Sequence, residues 1–402
     1  MNLMYDRSVT FPEGFKANGI AAGIKQNGLP DLGIIVSDSS ADVAAVFTKN
    51  KFQAAPILIS KQNLTGSNPK ARAIVVNSGC ANAMTGKAGI RSAQRVVAEV
   101  AKQLRISQKE ILTASTGVIG RQLPADIIAE AMPTLLSGLA REGDGVFCRS
   151  IMTTDKFPKQ LAVEVPLSRN RSFRIGATAK GAGMIHPNMA TMLCFITTDA
   201  AIEHRQLQAL LRKGVDVSFN TITVDGDTST NDTVFLMANG LSGVKLKTPG
   251  EFKIFESALN TVLRELATMI VRDGEGATRF VRLVVETAAS YEEAVRVGRA
   301  VGVSPLVKTA IFGGDPNWGR VLSAVGNCEA RFDPARVELR IGDYSVFKKN
   351  EPQNVDLSVI ESLFSQKEIE MTIRLNAGRE TAQVFTCDLS YDYVKINGEY
   401  TT

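Results

Sequence analysis

Lys180-Gly181-Ala182-Gly183-Met184-Ile185-His186-Pro187-Asn188-Met189-Ala190-Thr191 runs directly into Met192-Leu193-Cys194-Phe195-Ile196-Thr197-Thr198, and this junction decides how the 402-residue chain is read. Gly181 and Gly183 let the backbone bend hard and Pro187 turns it again. The apolar run from Met192 to Thr198 then reads as a buried strand. A hydroxyl, that of Thr191, therefore stands at the head of a core strand directly behind a bent segment.

Outward from this junction, strand and helix signals alternate along the chain, with no internal repeat and no Pro/Gly/Ser linker long enough to separate mobile domains. Ala73-Ile74-Val75-Val76 reads as a buried strand that leads into Asn77-Ser78-Gly79. Ala93, Val96, Val97, Val100, Ala101 and Leu104 then recur at the spacing of one helical face. Phe255, Ala258, Val262, Leu266 and Met269 mark another helix, stopped at Asp273-Gly274, which leaves Glu275 on a glycine-flanked loop. Ile369, Met371, Ile373 and Leu375 alternate with polar residues, as in a strand with one wet face. An intimate α/β or α+β body is expected, with one α/β domain over 1–280 and a smaller α/β domain over 281–402.

Composition narrows the function. With 44% hydrophobic and 22% charged residues the chain can bury a large core, which excludes disordered and fibrous classes. Lys plus Arg exceeds Asp plus Glu by only 46 to 41, with no run of like charges, so nucleic acid is not an expected partner. Asp6 and Arg7 stand where a signal peptide needs apolar residues, and no membrane-length apolar segment follows, so a soluble, cytoplasmic protein is expected. The scattered cysteines, Cys80, Cys148, Cys194, Cys328 and Cys387, read as small buried residues rather than a disulfide or zinc framework.

Several motif-like stretches fail on chemistry. Gly79 to Ala88 has the flavour of a phosphate loop, but Gly79 and Gly86 are too far apart and Ala88 occupies the place of the magnesium-binding hydroxyl. Asp225-Gly226-Asp227-Thr228-Ser229-Thr230-Asn231-Asp232 lacks the glycine and the bidentate glutamate of a calcium loop, and reads as a polar turn. His186 and His204 are the only histidines, so no local cluster supplies a metal site, and His204 is expected to be a solvated helix residue. Nothing in the sequence brings Cys80 and His186 together as a nucleophilic pair.

Thr191 is different. A strained Ala190-Thr191 peptide invites Thr191 Oγ to attack the Ala190 carbonyl, giving an ester that water hydrolyses. The freed α-amine, with an ordinary pKa of about 7.7 to 8.0, is then a base for the hydroxyl of its own residue. From composition alone, a glycine-rich turn ahead of a core strand is the simpler reading.

KGAGMIHPNMATML, together with Asp225 to Asp232, Gly274-Glu275-Gly276-Ala277-Thr278 and Asp315-Pro316-Asn317-Trp318-Gly319-Arg320, resembles the ornithine acetyltransferase family, the glutamate N-acetyltransferases of arginine biosynthesis. The likeness runs from Gly19-Ile20-Ala21-Ala22-Gly23-Ile24-Lys25 to Asn397-Gly398-Glu399-Tyr400-Thr401-Thr402, with Cys80 and Met84 where the family more commonly has asparagine and cysteine.

The resemblance implies a layered sandwich like that of self-processing N-terminal-nucleophile proteins. It implies a cut between Ala190 and Thr191, mature chains 1–190 and 191–402, and an α2β2 assembly. Thr191 would carry acetyl from N-acetylornithine to glutamate in a ping-pong reaction, without a cofactor, acetyl-CoA being an open question as a second donor. Thr116 and Gly117, within Ser115-Thr116-Gly117-Val118-Ile119-Gly120, match the family's oxyanion hole. Thr154, Lys180, Thr191, Glu275, Asn397 and Thr402 match positions that contact substrate. The alternative within enzymes is a self-processing aminopeptidase or amidohydrolase that lets water resolve the acyl-threonine. A non-catalytic binding protein on the same fold would require degraded catalytic positions, and Thr191, Thr116, Gly117 and Lys180 all stand.

Overall fold

The computed structural model describes residues 2–168, 170–186 and 192–399. Its first sheet contains β1 (Leu3–Met4), β2 (Phe15–Ile20), β3 (Leu32–Phe47), β4 (Lys70–Asn77), β5 (Ile111–Ser115), β6 (Lys159–Ser168), β7 (Arg171–Lys180), β8 (Leu193–Thr198) and β9 (Thr233–Ala238). Their order is β1-β6-β7-β8-β9-β3-β4-β5, with β2 alongside β3. The sixteen-residue β3 changes partners part-way along. Leu32 to Val36 face β4, the register shifts between Val36 and Ala41, and Asp42 to Phe47 pair with β9. A bulge of this kind bends a strand, so one strand serves two halves of the sheet.

The period of two in the strands shows how the halves stack. On β8 and β9, Cys194, Ile196, Val234 and Leu236 pack with the helices His204–Asp216 and Pro249–Arg272. Their neighbours Leu193, Phe195, Phe235 and Met237 join Ile74 and Val76 of β4 in a sheet-on-sheet core. The other face of β4, Ala73 and Val75, meets the helices Gly86–Leu104 and Ala125–Ser137. The result is a helix, sheet, sheet, helix sandwich, the layered α/β class expected from the sequence. Both faces of β8 are covered, which accounts for its unbroken apolar run.

The second sheet is built from β10 (Phe280–Ala288), β11 (Glu338–Ile341), β12 (Tyr344–Lys348), β13 (Glu351–Pro352), β14 (Glu368–Arg374) and β15 (Glu380–Cys387), in the order β13-β12-β11-β14-β10-β15. It has its own apolar cluster around Val281, Leu283, Val297, Leu339 and Met371. β15 also reaches the first core, where Phe385 stacks on Phe280 and joins the cluster around Phe255 and Leu259.

Two local expectations change. His204 is not a fully solvated helix residue: it opens its helix half-buried, with Nδ1 2.7 Å from the Val43 carbonyl oxygen. Cys328 is half-buried, whereas Cys80, Cys148, Cys194 and Cys387 are buried. No helix among the described residues is long and apolar enough to cross a membrane.

Candidate active site

The strand ends make the site. β4 and β5 run parallel and finish together at Asn77 and Ser115. Ser115 Oγ donates to Asn77 Oδ1 at 2.5 Å and Asn77 Nδ2 donates to the Cys80 carbonyl at 2.8 Å, tying the two exits together. Thr116 and Gly117 emerge there. Gly117 has φ +122°, and a Cβ on it would lie 2.4 Å from the Gly79 carbonyl carbon and 2.6 Å from Cys80 N, so only glycine fits. The loop rejected above as a phosphate cradle is thus the wall that holds Gly117 in place.

Lys180, the last residue of β7, pairs across the sheet with Leu193, the first of β8. Its Nζ donates to Thr153 Oγ1 at 2.8 Å and to Thr116 Oγ1 at 3.3 Å. An ammonium only donates, so Thr116 Oγ1 accepts and its own O–H is left to donate into the cleft. Burial lowers the Lys180 pKa, Asp155 opposes that shift, and Lys159 adds to it.

Beneath Lys180 lies a buried group of charges. Lys159 Nζ bridges Asp155 Oδ1 at 2.6 Å and Asp273 Oδ2 at 2.5 Å, with all three side chains sealed from solvent. Asp155 also accepts from the N–H groups of Thr153 and Gly181, and Asp273 from that of Lys156. Burial alone would raise the Asp155 carboxyl, yet Lys159, Lys180 and these hydrogen bonds hold it well below the usual carboxylate range. This cluster sets the position of the 152–156 segment, the end of β7 and the end of the helix Pro249–Arg272 at once.

Glu275 follows that helix. Its N–H donates to the Ala182 carbonyl, its carboxylate packs where a Cβ on Gly183 would stand, and it accepts from Asn397 Nδ2 at 2.8 Å. Asn397 belongs to the helix Tyr391–Glu399. Lys180 and Glu275 are thus buried rather than solvated loop charges, and Asn397, itself exposed, is tied to the site by its bond to Glu275.

The segment 184–186 is pinned by Asp225, which accepts from Met184 N and Ile185 N, and by Thr228, whose hydroxyl donates to the His186 carbonyl. Asn231 Nδ2 donates to the carbonyls of Ala81 and Ser115, joining this loop to the Thr116 exit. The polar stretch 225–232 is exposed at Asp227 and buried from Ser229 to Asp232, where it braces the site. Met192 N donates to Asp232 Oδ1 at 3.0 Å, and burial pushes the Asp232 carboxyl well up.

Of the residues singled out in the sequence, Thr116, Gly117, Thr154, Lys180, Glu275 and Asn397 line one cleft, with Ser229 and Asn231 between them. Ala190, Thr191 and Thr402 lie outside the described residues. Thr153, not Thr154, holds Lys180. Cys80 Sγ donates to the Arg121 carbonyl and burial raises its thiol pKa, while His186 Nδ1 meets Thr223 Oγ1, so each has a partner other than the proposed one. Thr153, Asp155, Lys159 and Asn231 escaped the sequence reading as site residues. The Asp155-x-x-x-Lys159 spacing was the one signal for the charge cluster, and the third member, Asp273, read only as a helix stop.

A sequence model of the ArgJ family matches residues 16–402. The chain belongs to the ArgJ family. It is 48% identical to the arginine biosynthesis bifunctional protein ArgJ of Dehalococcoides mccartyi, over 100% of this chain and 99% of that one. It is 46% identical to the glutamate N-acetyltransferase of Methanocaldococcus jannaschii, over 99% of each. Among solved structures, ornithine acetyltransferase of Mycobacterium tuberculosis in complex with ornithine is 35% identical over 46% of this chain and 98% of that one, with a TM-score of 0.43.

Proposed function

We propose that this protein moves the acetyl group of N2-acetyl-L-ornithine to L-glutamate in arginine biosynthesis, by a ping-pong reaction through an acetyl ester on Thr191. The observation that carries the reading is the convergence of Thr116, Gly117, Thr154, Lys180, Glu275 and Asn397 on one cleft, from elements far apart in the chain. The names borne by its ArgJ relatives support N-acetylation of glutamate within arginine biosynthesis.

Thr191 Oγ gives its proton to the α-amine freed by cleavage and adds to the acetyl carbonyl. The oxyanion is met by the Thr116 O–H, oriented by Lys180, and the Gly117 N–H. The C–N bond then breaks, the proton passes from the α-amine to the departing ornithine amine, and an acetyl ester remains. The glutamate amine adds to that ester and gives one proton to the Thr191 α-amine, the ester C–O bond breaks, and Thr191 Oγ leaves taking that proton. An amide is a poor acetyl donor, and the ester splits one hard transfer into two easier ones. Lys180 retains an N–H for a substrate carboxylate, while Glu275 suits a substrate amino group.

The deciding assay is ornithine release from acetylornithine with and without glutamate. Dependence on glutamate supports transfer; equal release without it would assign the ester to water. Replacing acetylornithine by acetyl-CoA tests the proposal that it is a second donor, a co-substrate rather than a bound cofactor. The proposed assembly is a cytoplasmic α2β2 pair of chains 1–190 and 191–402, with 1–280 as the catalytic unit and 281–402 as a second α/β unit. Thr402 is proposed to complete the substrate site.

Two outcomes follow from the geometry. Asn397→Ala removes a hydrogen bond to the Glu275 carboxylate, and KM should rise roughly tenfold or more with a smaller change in kcat. An unchanged KM removes Asn397 from the site. Because burial depresses the Lys180 ammonium below the ordinary 10.5, it is lost as pH rises at a lower pH than for an exposed lysine. KM should therefore climb on the alkaline side before ordinary lysines titrate, and a KM flat through that range would separate Lys180 from substrate binding.

A further inference from the structure

A second cleft lies between the helices His204–Asp216, Pro249–Arg272 and Tyr291–Val303, and it shares no lining residue with the first. Arg299 stands in its wall. The Nε and Nη2 atoms of that guanidinium are buried, and neither finds an acceptor among the described residues. Several other charges around the cleft are engaged. Lys213 faces Glu256 at 3.7 Å, Arg296 donates to the Glu329 carbonyl, and Asp216 accepts from Asn220 Nδ2 at 2.8 Å.

Taking a guanidinium out of water without a counter-charge costs free energy, and native structures seldom leave such groups unmatched. Burial lowers the Arg299 pKa, with Tyr291 opposing, and burial together with the Arg299 charge lowers His186, also in the wall, to about 4 against the opposing charge of Asp227. Along the lining Lys49, Lys213, Arg296 and Arg299 are balanced by Asp216, Glu256, Glu292 and Glu329, so what lacks a match among the described residues is the Arg299 edge itself. Nε–H and Nη2–H lie side by side on one edge of the guanidinium, a spacing that matches the two oxygens of a carboxylate. Val217, Val295, Ala300 and Val303 give the same cleft an apolar wall suited to a short hydrocarbon stem. Asp216, Glu292 and Glu329 at its border disfavour a dianion such as phosphate.

We propose that this cleft is a second ligand site, in which Arg299 receives the carboxylate of a small organic acid whose apolar stem lies against Val295 and Val303. Entry requires the guanidinium to turn its buried edge toward the cleft, a change in the last torsions of a long side chain.

The test uses 4,4,4-trifluorobutyrate as probe and fluorine NMR of the purified full-length protein. Saturable broadening is expected, with affinity weakened roughly tenfold or more in Arg299→Gln, the loss of one charged hydrogen-bonded pair. Arg299→Lys keeps the charge without the parallel N–H groups and should weaken binding as well. Both variants should keep the parent KM for acetyl transfer, and Lys180→Ala should keep the parent affinity for the probe. Removing an unmatched buried cation is not expected to lower the thermal midpoint, and if Arg299→Gln fails to fold, Arg299→Lys carries the test. The proposal is overturned if no saturable binding is seen, if the Arg299 variants bind as the parent does, if Lys180→Ala alone abolishes binding, or if inorganic phosphate displaces the probe at lower concentration than butyrate.

Discussion

Lys159→Met should cost about 3–5 kcal/mol of stability near neutral pH, the usual penalty for breaking a buried ion pair by removing one partner. Lys159 alone bridges Asp155 and Asp273, and all three side chains are fully buried. Methionine fills a similar volume, so the effect is electrostatic rather than a cavity. The sign of the pH dependence follows from Asp155, whose folded pKa is depressed below its unfolded value, whereas burial raises Asp273 despite Lys159 and so works in the opposite sense. The Asp155 contribution is present above the unfolded carboxylate pKa of about 3.9 and is lost as pH falls through the folded value. In the variant the carboxyls titrate higher, so its deficit against the parent should be largest near neutrality and shrink in acid. Urea unfolding at several pH values measures this. Acetyl transfer should fall as well, because Asp155 also holds the N–H of Gly181 and faces Lys180. A variant of parental stability would mean that the two carboxyls are already neutral; adding Asp155→Asn and Asp273→Asn to Lys159→Met should restore much of the loss.

Thr191→Ala should remain a single uncut chain and lose transfer by at least about 10⁴-fold, the scale on which removal of a nucleophile acts. Alanine has no hydroxyl to attack the Ala190 carbonyl and none to carry acetyl. Intact mass under denaturing conditions reads the first effect and ornithine release the second. A cleaved alanine variant would remove the self-processing mechanism. In the parent, a second chain beginning Thr191-Met192-Leu193 is the expected product.

Much of the fold was legible because the period of burial is written locally. The helical stripe Ala93 to Leu104 became the helix Gly86–Leu104, and the alternation around Met371 became β14 with one wet face. The apolar run Met192 to Thr198 became β8, and its lack of alternation already carried the fact that both faces are covered. The resemblance supplied the candidate cleft residues, six of which the structure brings together.

What the sequence by itself determined was the class of layered α/β fold, the place of the major helices and strands, and the family, since each rests on residues adjacent in the chain. The tertiary structure alone decided that Asp155, Lys159 and Asp273 form one sealed charge cluster, that Asn231 braces the Thr116 exit, and that Arg299 has an edge unmatched among the described residues. A charged residue read in isolation is assigned to solvent, because water is the cheapest environment for an ion. Whether a lysine and two aspartates can leave water together depends on the distance from Lys159 and Asp155 to Asp273, more than a hundred positions away. No local pattern encodes those distances; they exist only once β6, the end of the helix Pro249–Arg272 and the end of β7 have packed against one another.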